Sequence, residues 1–136
     1  MNALADTGVL VAAVNSRDPD HRRSLRALEE GDYRLLVPVL CIGEACFLIE
    51  RDLGPDVEAR FVEGVAQWDV VSPEGGDWAR IAALLRQYRD FPLGAVDASI
   101  IALAERLNCD TILTLDRRHF SVVRPRHREH FVLLPD

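Results

Sequence analysis

The sequence predicts an α/β protein: a mostly parallel sheet of about five strands, covered by helices on both faces. Three observations lead there. Short segments such as "RLLV", "TIL" and "FVLL" are apolar after at most one leading polar residue, without the polar–apolar alternation of a half-exposed strand. Longer segments between them repeat apolar residues at helical spacing. The two kinds alternate along the chain, as crossover units of a parallel sheet do.

Each element follows in order. "NALAD" (2–6) reads as a buried strand running directly into a helix, "TGVLVAAV". "RDPDHRRSLRALEEG" (17–31) is a helix with Asp18 at the N-cap, Pro19 at the first helical position and Gly31 at the stop. "YRLLV" (33–37) is a strand. Pro38 then opens a helix that ends near Gly54. "PDVEARFVEGVAQ" (55–67) is helical, with Val57, Phe61 and Val65 in step, and "WDVVS" (68–72) is a strand. "DWARIAALLRQYRDF" (77–91) carries the stripe Trp78, Ile81, Leu85, Tyr88. "VDASIIALAERLN" (96–108) carries Val96, Ile100, Leu103 and Leu107. "TILTL" (111–115) and "FVLL" (131–134) complete the sheet.

The 136 residues contain no repeat, low-complexity tract or long linker, so residues 1–136 read as a single domain. No apolar run approaches the length of a membrane span. The N-terminus lacks a basic region and places Asp6 inside its apolar part, unlike a signal peptide, so a cytoplasmic protein is expected. Three cysteines without a C-x-x-C pair read as reduced thiols. His127 and His130 have no further soft ligand near them in sequence, which disfavours zinc. The net charge of −6 argues against nucleic-acid binding by bulk charge alone. All sixteen basic residues are arginine, which excludes Schiff-base and P-loop chemistry. Residues 117–130 hold five arginines against the single acid Glu129, a local surplus of basic charge directly after Asp116.

Four acids stand out by position. In an open parallel sheet, ligands bind beyond the carboxyl ends of the strands. Asp6 and Asp116 each end a predicted strand, and Asp97 begins a predicted helix at the same edge. Glu44 lies near the second turn of its helix, between Leu40 and Leu48. That face is apolar, so Glu44 is expected to point inward. Singly, Asp6 or Asp97 is explained as a helix cap and Asp116 as a turn residue. Together the four carboxylates would repel one another and need a cation. Oxygen-only ligands favour Mg²⁺ or Mn²⁺, and the chemistry such an ion favours is attack of water on a phosphodiester. Thr7 and Ser99, beside Asp6 and Asp97, are candidates for orienting a carboxylate or water. Arg117 and Arg118 are candidates for holding phosphate.

"LADTGVLVAAV", Glu44 in "GEACFLI", "GAVDASIIALAERL" and "TILTLDRRHFSVVRP" resemble PIN-domain nucleases, and more closely the VapC toxins of VapBC toxin–antitoxin pairs. The resemblance covers essentially the whole chain. It implies a three-layer α/β/α sandwich and a Mg²⁺- or Mn²⁺-dependent endoribonuclease. Asp6, Glu44, Asp97 and Asp116 would form its site, with Asp6 and Asp97 the direct metal ligands. It also implies a VapB-type antitoxin partner and a toxin homodimer. Many relatives carry an acid or amide two residues after the last aspartate. Arg118 stands there in this chain, which argues against a tightly held second metal. The triplet "DTG" at 6–8 also resembles the active-site triplet of aspartic proteases. That fold is nearly all β, and it leaves Glu44, Asp97 and Asp116 unexplained. A receiver-like signalling domain needs a lysine that is absent here. A non-catalytic module that binds RNA or antitoxin is the remaining alternative.

Overall fold

The computed structural model describes residues 1–136. Five strands form one sheet: β1 (Asn2–Ala5), β2 (Arg34–Pro38), β3 (Asp69–Val71), β4 (Thr111–Leu113) and β5 (Val132–Leu134). Their spatial order is β3-β2-β1-β4-β5, and every adjacent pair is parallel. A parallel neighbour requires a crossover, and helices supply most of it. They are α1 (Thr7–Val14), α2 (His21–Glu30), α3 (Val39–Leu53), α4 (Pro55–Val65), α5 (Gly75–Gln87), α6 (Ala95–Arg106) and α7 (Arg117–Val122). The aspartic-protease reading does not survive this topology.

The register shows how the core forms. Leu4 lies beside Leu36 and Ile112, and Ile112 beside Leu133, so these four share one face of the sheet. They join the main apolar cluster with Ile49, Ile81, Leu84, Ile100 and Leu103 from the helices. Ala3 and Leu113 point the other way and pack with Val9, Ala27 and Leu28 of α1 and α2. The sheet is thus the middle of three layers. Both its faces are dry along the central strands β1, β2 and β4, which is why these lack alternation, while the edge strands β3 and β5 leave Val70 and Val132 exposed. No helix is long and apolar enough to cross a membrane.

Several predicted boundaries move, each for a local reason. Asp18 and Pro19 do not begin α2. Asp18 Oδ1 accepts from Asp20 N–H at 2.8 Å, a side-chain-closed turn, and the helix starts at His21 after Asp20. Gly31 ends α2 as expected, and a Cβ there would fall 2.0 Å from the Tyr33 ring. Gly54 separates α3 from α4 at φ 89°, a conformation costly for any residue with a Cβ. In α5 the buried residues are Ile81 and Leu84, while Trp78 is 52% exposed. The predicted stripe therefore sits one position off its true centre. The helix itself begins earlier, at Gly75, through a capping box between Glu74 and Asp77. Helix α7 was not expected; its six residues, "RRHFSV", are too few to show a period. All three cysteines are free thiols.

Candidate active site

Asp6 directly follows β1, and its N–H donates to Leu113 O at 2.9 Å, which fixes it at the carboxyl edge of the sheet. Its side chain is 7% exposed. Asp6 Oδ1 accepts from Thr7 N–H at 2.7 Å and so caps α1. Asp6 Oδ2 accepts from Thr114 Oγ1–H at 2.8 Å. The same Thr114 hydroxyl accepts from Asp116 N–H at 3.0 Å. One threonine just past β4 thereby ties two of the acids together.

Asp97 sits in the first turn of α6, half-buried. Asp116 precedes α7 and is exposed; His119, one turn on, donates Nδ1–H to Asp116 Oδ2. The three aspartates and Glu44 of α3 all line one cavity of about 590 Å³, with Thr7, Gly8, Leu48 and Leu115 among the rest of its wall. Four segments far apart in sequence meet at one edge of the sheet.

The electrostatics follow from this crowding. Asp6 is pushed up to about 6, first by burial and then by the Asp97 and Glu44 charges. The hydrogen bonds from Thr114 and Thr7 oppose the rise without cancelling it. Asp97 is also raised, by burial and by Asp116 and Glu44, against the His119 and Gly94 contributions. Carboxylates that resist ionisation side by side favour a cation between them.

No three Asp, Glu, His or Cys side chains already surround a common point at ligand distance, so the cavity is an open acidic site rather than a closed cage. The donor set fits a hard divalent cation nonetheless. Every acid on the wall offers oxygen, and ions such as Mg²⁺ keep several waters and use few protein ligands. Thr7 Oγ1, also on the wall, is buried without a hydrogen-bond partner.

The structure corrects other readings. Glu44 does not point into the packed face of α3. That stripe is Cys41, Ala45 and Ile49, and Glu44 lies beside it, exposed, on the cavity wall. Ser99 is fully buried and its Oγ–H donates to Val96 O at 2.6 Å, so it is spent inside α6 and does not line the cavity. Arg117 donates to the carbonyls of Leu133 and Pro135, both at 3.2 Å, which ties α7 to the C-terminal strand. Arg118 stacks over the Phe91 ring, 5.5 Å from its centroid, and Phe91 in turn packs on His119. The arginines after α7 do not rim the cavity either. His127 Nε2–H donates to Cys109 O and Arg128 faces Asp110, both just before β4, at the opposite edge. Two contributors escaped sequence reasoning. Thr114 had a readable sign, a hydroxyl two residues before Asp116 in an otherwise apolar strand end. His119 lies three residues after Asp116, a spacing that pairs side chains once a helix is known there.

Comparison with known proteins agrees with this architecture. The model of the PIN domain family matches residues 3–124, which include all four acids. Ribonuclease VapC26 of Mycobacterium tuberculosis is 30% identical over 134 residues, 97% of this chain and 99% of that protein. Among solved structures, Mycobacterium tuberculosis VapC20, described as a sarcin-ricin loop cleaving toxin, superposes with a TM-score of 0.79 at 15% identity, covering 86% of this chain and 92% of that one. VapBC2 from Rickettsia felis, bound to a DNA fragment from its promoter, matches with a TM-score of 0.71 at 14% identity and 98% coverage of both chains. At such identities the two structures speak for the fold, whereas the family match and the full-length relative speak for descent. The chain belongs to the PIN-domain family, in its VapC-type branch.

Proposed function

We propose that this chain is a divalent-metal-dependent endoribonuclease, the toxin of a VapBC-type pair, working in the cytoplasm. One observation carries the reading: Asp6, Glu44, Asp97 and Asp116, from four distant segments, line a single cavity at the carboxyl edge of a parallel sheet. Near-full-length likeness to a VapC ribonuclease supports it. Asp6 and Asp97, the two less exposed acids, would hold Mg²⁺ or Mn²⁺, with Glu44 and Asp116 able to join. When bound, such an ion stabilises negative charge on a phosphodiester and makes water a usable nucleophile at neutral pH.

The chain's own groups have separable tasks. Thr7 N–H and Thr114 Oγ1–H hold the Asp6 carboxylate in one orientation. His119 holds Asp116 at the rim. Glu44 and Asp116 face solvent and are placed to take a proton from water entering the cavity. Phosphate alone would be repelled by this wall, so RNA is expected to bind there productively only with the cation present. A basic side chain from a VapB-type antitoxin would suit the same wall and block it. A toxin homodimer is proposed from the family likeness.

The test is cleavage of RNA by purified protein with Mg²⁺ or Mn²⁺, repeated with Asp6→Asn and Asp97→Asn. The reading expects cuts by the parent, none in EDTA, and a loss of at least about a hundredfold in each variant. Equal cleavage by the variants would refute the site. Binding without any cleavage by the parent would make the chain a non-catalytic module.

A further inference from the structure

The arginines that the acidic cavity does not use form a surface of their own. From Val123 the chain leaves α7 and runs down one flank of the molecule to the start of β5. Arg124 N–H donates to Tyr88 Oη, Arg126 N–H to Glu105 Oε2, and Arg128 faces Asp110 at 3.7 Å. The backbone is therefore pinned at Arg124 and Arg126, Arg128 is held by its side chain, and all three residues stay exposed. The guanidinium groups of Arg124 and Arg126 take part in no ion pair or hydrogen bond within the chain. Arg128 has only its loose contact to Asp110 and a bond to the neighbouring His127 carbonyl. At the upper end, Arg118 lies over Phe91 close to the cavity's Asp116. Asp110 and Asp116 stand at opposite ends of β4, so the track crosses the sheet from one edge to the other.

We propose that Arg118, Arg124, Arg126 and Arg128 form a track for the sugar–phosphate backbone of RNA, leading from the acidic cavity to the far edge of the sheet. This rests on the ribonuclease reading and adds to it. The substrate is then an RNA with several nucleotides beyond the cleaved bond, gripped where the protein is basic and cut where it is acidic. Unpaired arginines held in place by the backbone cost little to engage, and guanidinium matches phosphate in two-point geometry. The lower part of the track forms a concavity of about 550 Å³ lined only by Arg124, Pro125, Arg126, His127, Arg128 and Glu129. A protein partner would call for large apolar side chains at the centre of its footprint, and this lining has no Leu, Ile, Val, Met, Phe, Tyr or Trp. A polyanion needs only charge and donors. The track also answers how a chain of net charge −6 attracts RNA: the attraction is confined to one flank.

The test measures binding of a fluorescent single-stranded RNA of about 30 nucleotides in EDTA, at a series of salt concentrations. Compared are the parent, the triple variant Arg124→Gln/Arg126→Gln/Arg128→Gln, the same triple to lysine, and a control triple Arg22→Gln/Arg26→Gln/Arg60→Gln from exposed positions elsewhere. The track predicts that the first triple weakens binding at least about tenfold and flattens the log–log salt slope by about 2, close to 0.7 per lost phosphate contact. The lysine triple keeps the slope, and the control triple changes it by less than half as much. Arg124→Gln alone, which disturbs no ion pair, should flatten the slope by about 0.7. Unchanged affinity and slope in the first triple would overturn the track. So would an equal loss in the control, or, with fluorescent polyglutamate run as a parallel probe, a loss seen for that polyanion and not for RNA, which would assign the surface to an acidic protein. Because no metal is present, these outcomes are independent of cleavage. A parent that binds through the track yet never cuts would refute the nuclease reading alone.

Discussion

Asp6 shows how much a single carboxylate can be asked to do. It caps α1, ties to Thr114, lies almost wholly out of water, and faces two further acids. Its carboxyl is raised from 3.8 to about 6, so the metal-free fold holds a proton there that the unfolded chain releases. The sign is then set. Its stabilising contribution is full below about pH 4, is lost as pH rises through about 6, and amounts to about 3 kcal/mol over the window. Metal-free Asp6→Asn should accordingly match the parent near pH 4 and exceed it by about 2 kcal/mol above pH 7, as read by urea unfolding. A parent whose stability climbs between those values relative to the variant would contradict the burial argument. At this scale the sequence was legible where a residue's type conflicted with its neighbours. Glu44 was found that way, although the inferred direction of its side chain was wrong. One residue of helical rotation separates the packed stripe from the cavity wall, and the pattern does not resolve it because α3 carries apolar residues on several sides, Leu40 and Leu48 in line with Glu44 and an exposed Phe47 among them. Ser99 and Arg117 sit beside Asp97 and Asp116 in sequence yet serve α6 and the C-terminal strand, because adjacency in sequence on a helix is separation in space.

Helices α5 and α6 are joined by more than their apolar stripes. Arg80 Nε and Nη2 donate to both oxygens of Glu105 at 2.7 and 2.9 Å, and these side chains are only 12% and 10% exposed. Glu105 also accepts from Arg126 N–H, which fastens the basic loop to the same pair. Burial would raise the Glu105 carboxyl, but the Arg80 and Arg126 contacts outweigh it and hold it below its ordinary value. Asp77 closes the capping box of α5 and receives Arg106 Nε–H at 2.7 Å, binding the start of one helix to the end of the other. Glu105→Ala should leave Arg80 buried and unpaired, lower stability by about 3 kcal/mol and loosen the 124–130 loop. Denaturant midpoints with hydrogen exchange of the Arg126 amide would show it. A change below about 0.5 kcal/mol would mean that the pair is worth no more than an exposed one. None of this was visible in the sequence, since i and j lie some 25 residues apart and charged residues on amphipathic helices look like solvent-facing ones. Element identity was far more legible. The long apolar stripes of α3 and α6 and the dry strands announce themselves, while α7, six residues long and mostly polar, does not.

The whole molecule is a device for convergence. Parallel pairing of β1 with β4 sets Ala5 beside Leu113, so the chain exits both strands at one edge and delivers Asp6 and Asp116 there. The helices α3 and α6 bring Glu44 and Asp97 to the same cavity. That convergence followed from the sequence once the sheet was known to be parallel, because strand ends and helix starts share an edge. What did not follow was the division of charge: the basic run 117–130 reads as one patch, yet the fold leaves its last arginines on the far side from the acids. If the four acids act as one cation site, calorimetric titration of the metal-free protein with Mn²⁺ will show it. Binding near neutral pH is expected, weakened at least about tenfold in Asp6→Asn and in Asp97→Asn alike, with proton release in the parent that grows as the pH is lowered from 7 towards 6, where Asp6 is still partly protonated. Mn²⁺ affinity unchanged in both variants, or no binding to the parent at millimolar ion, would contradict it.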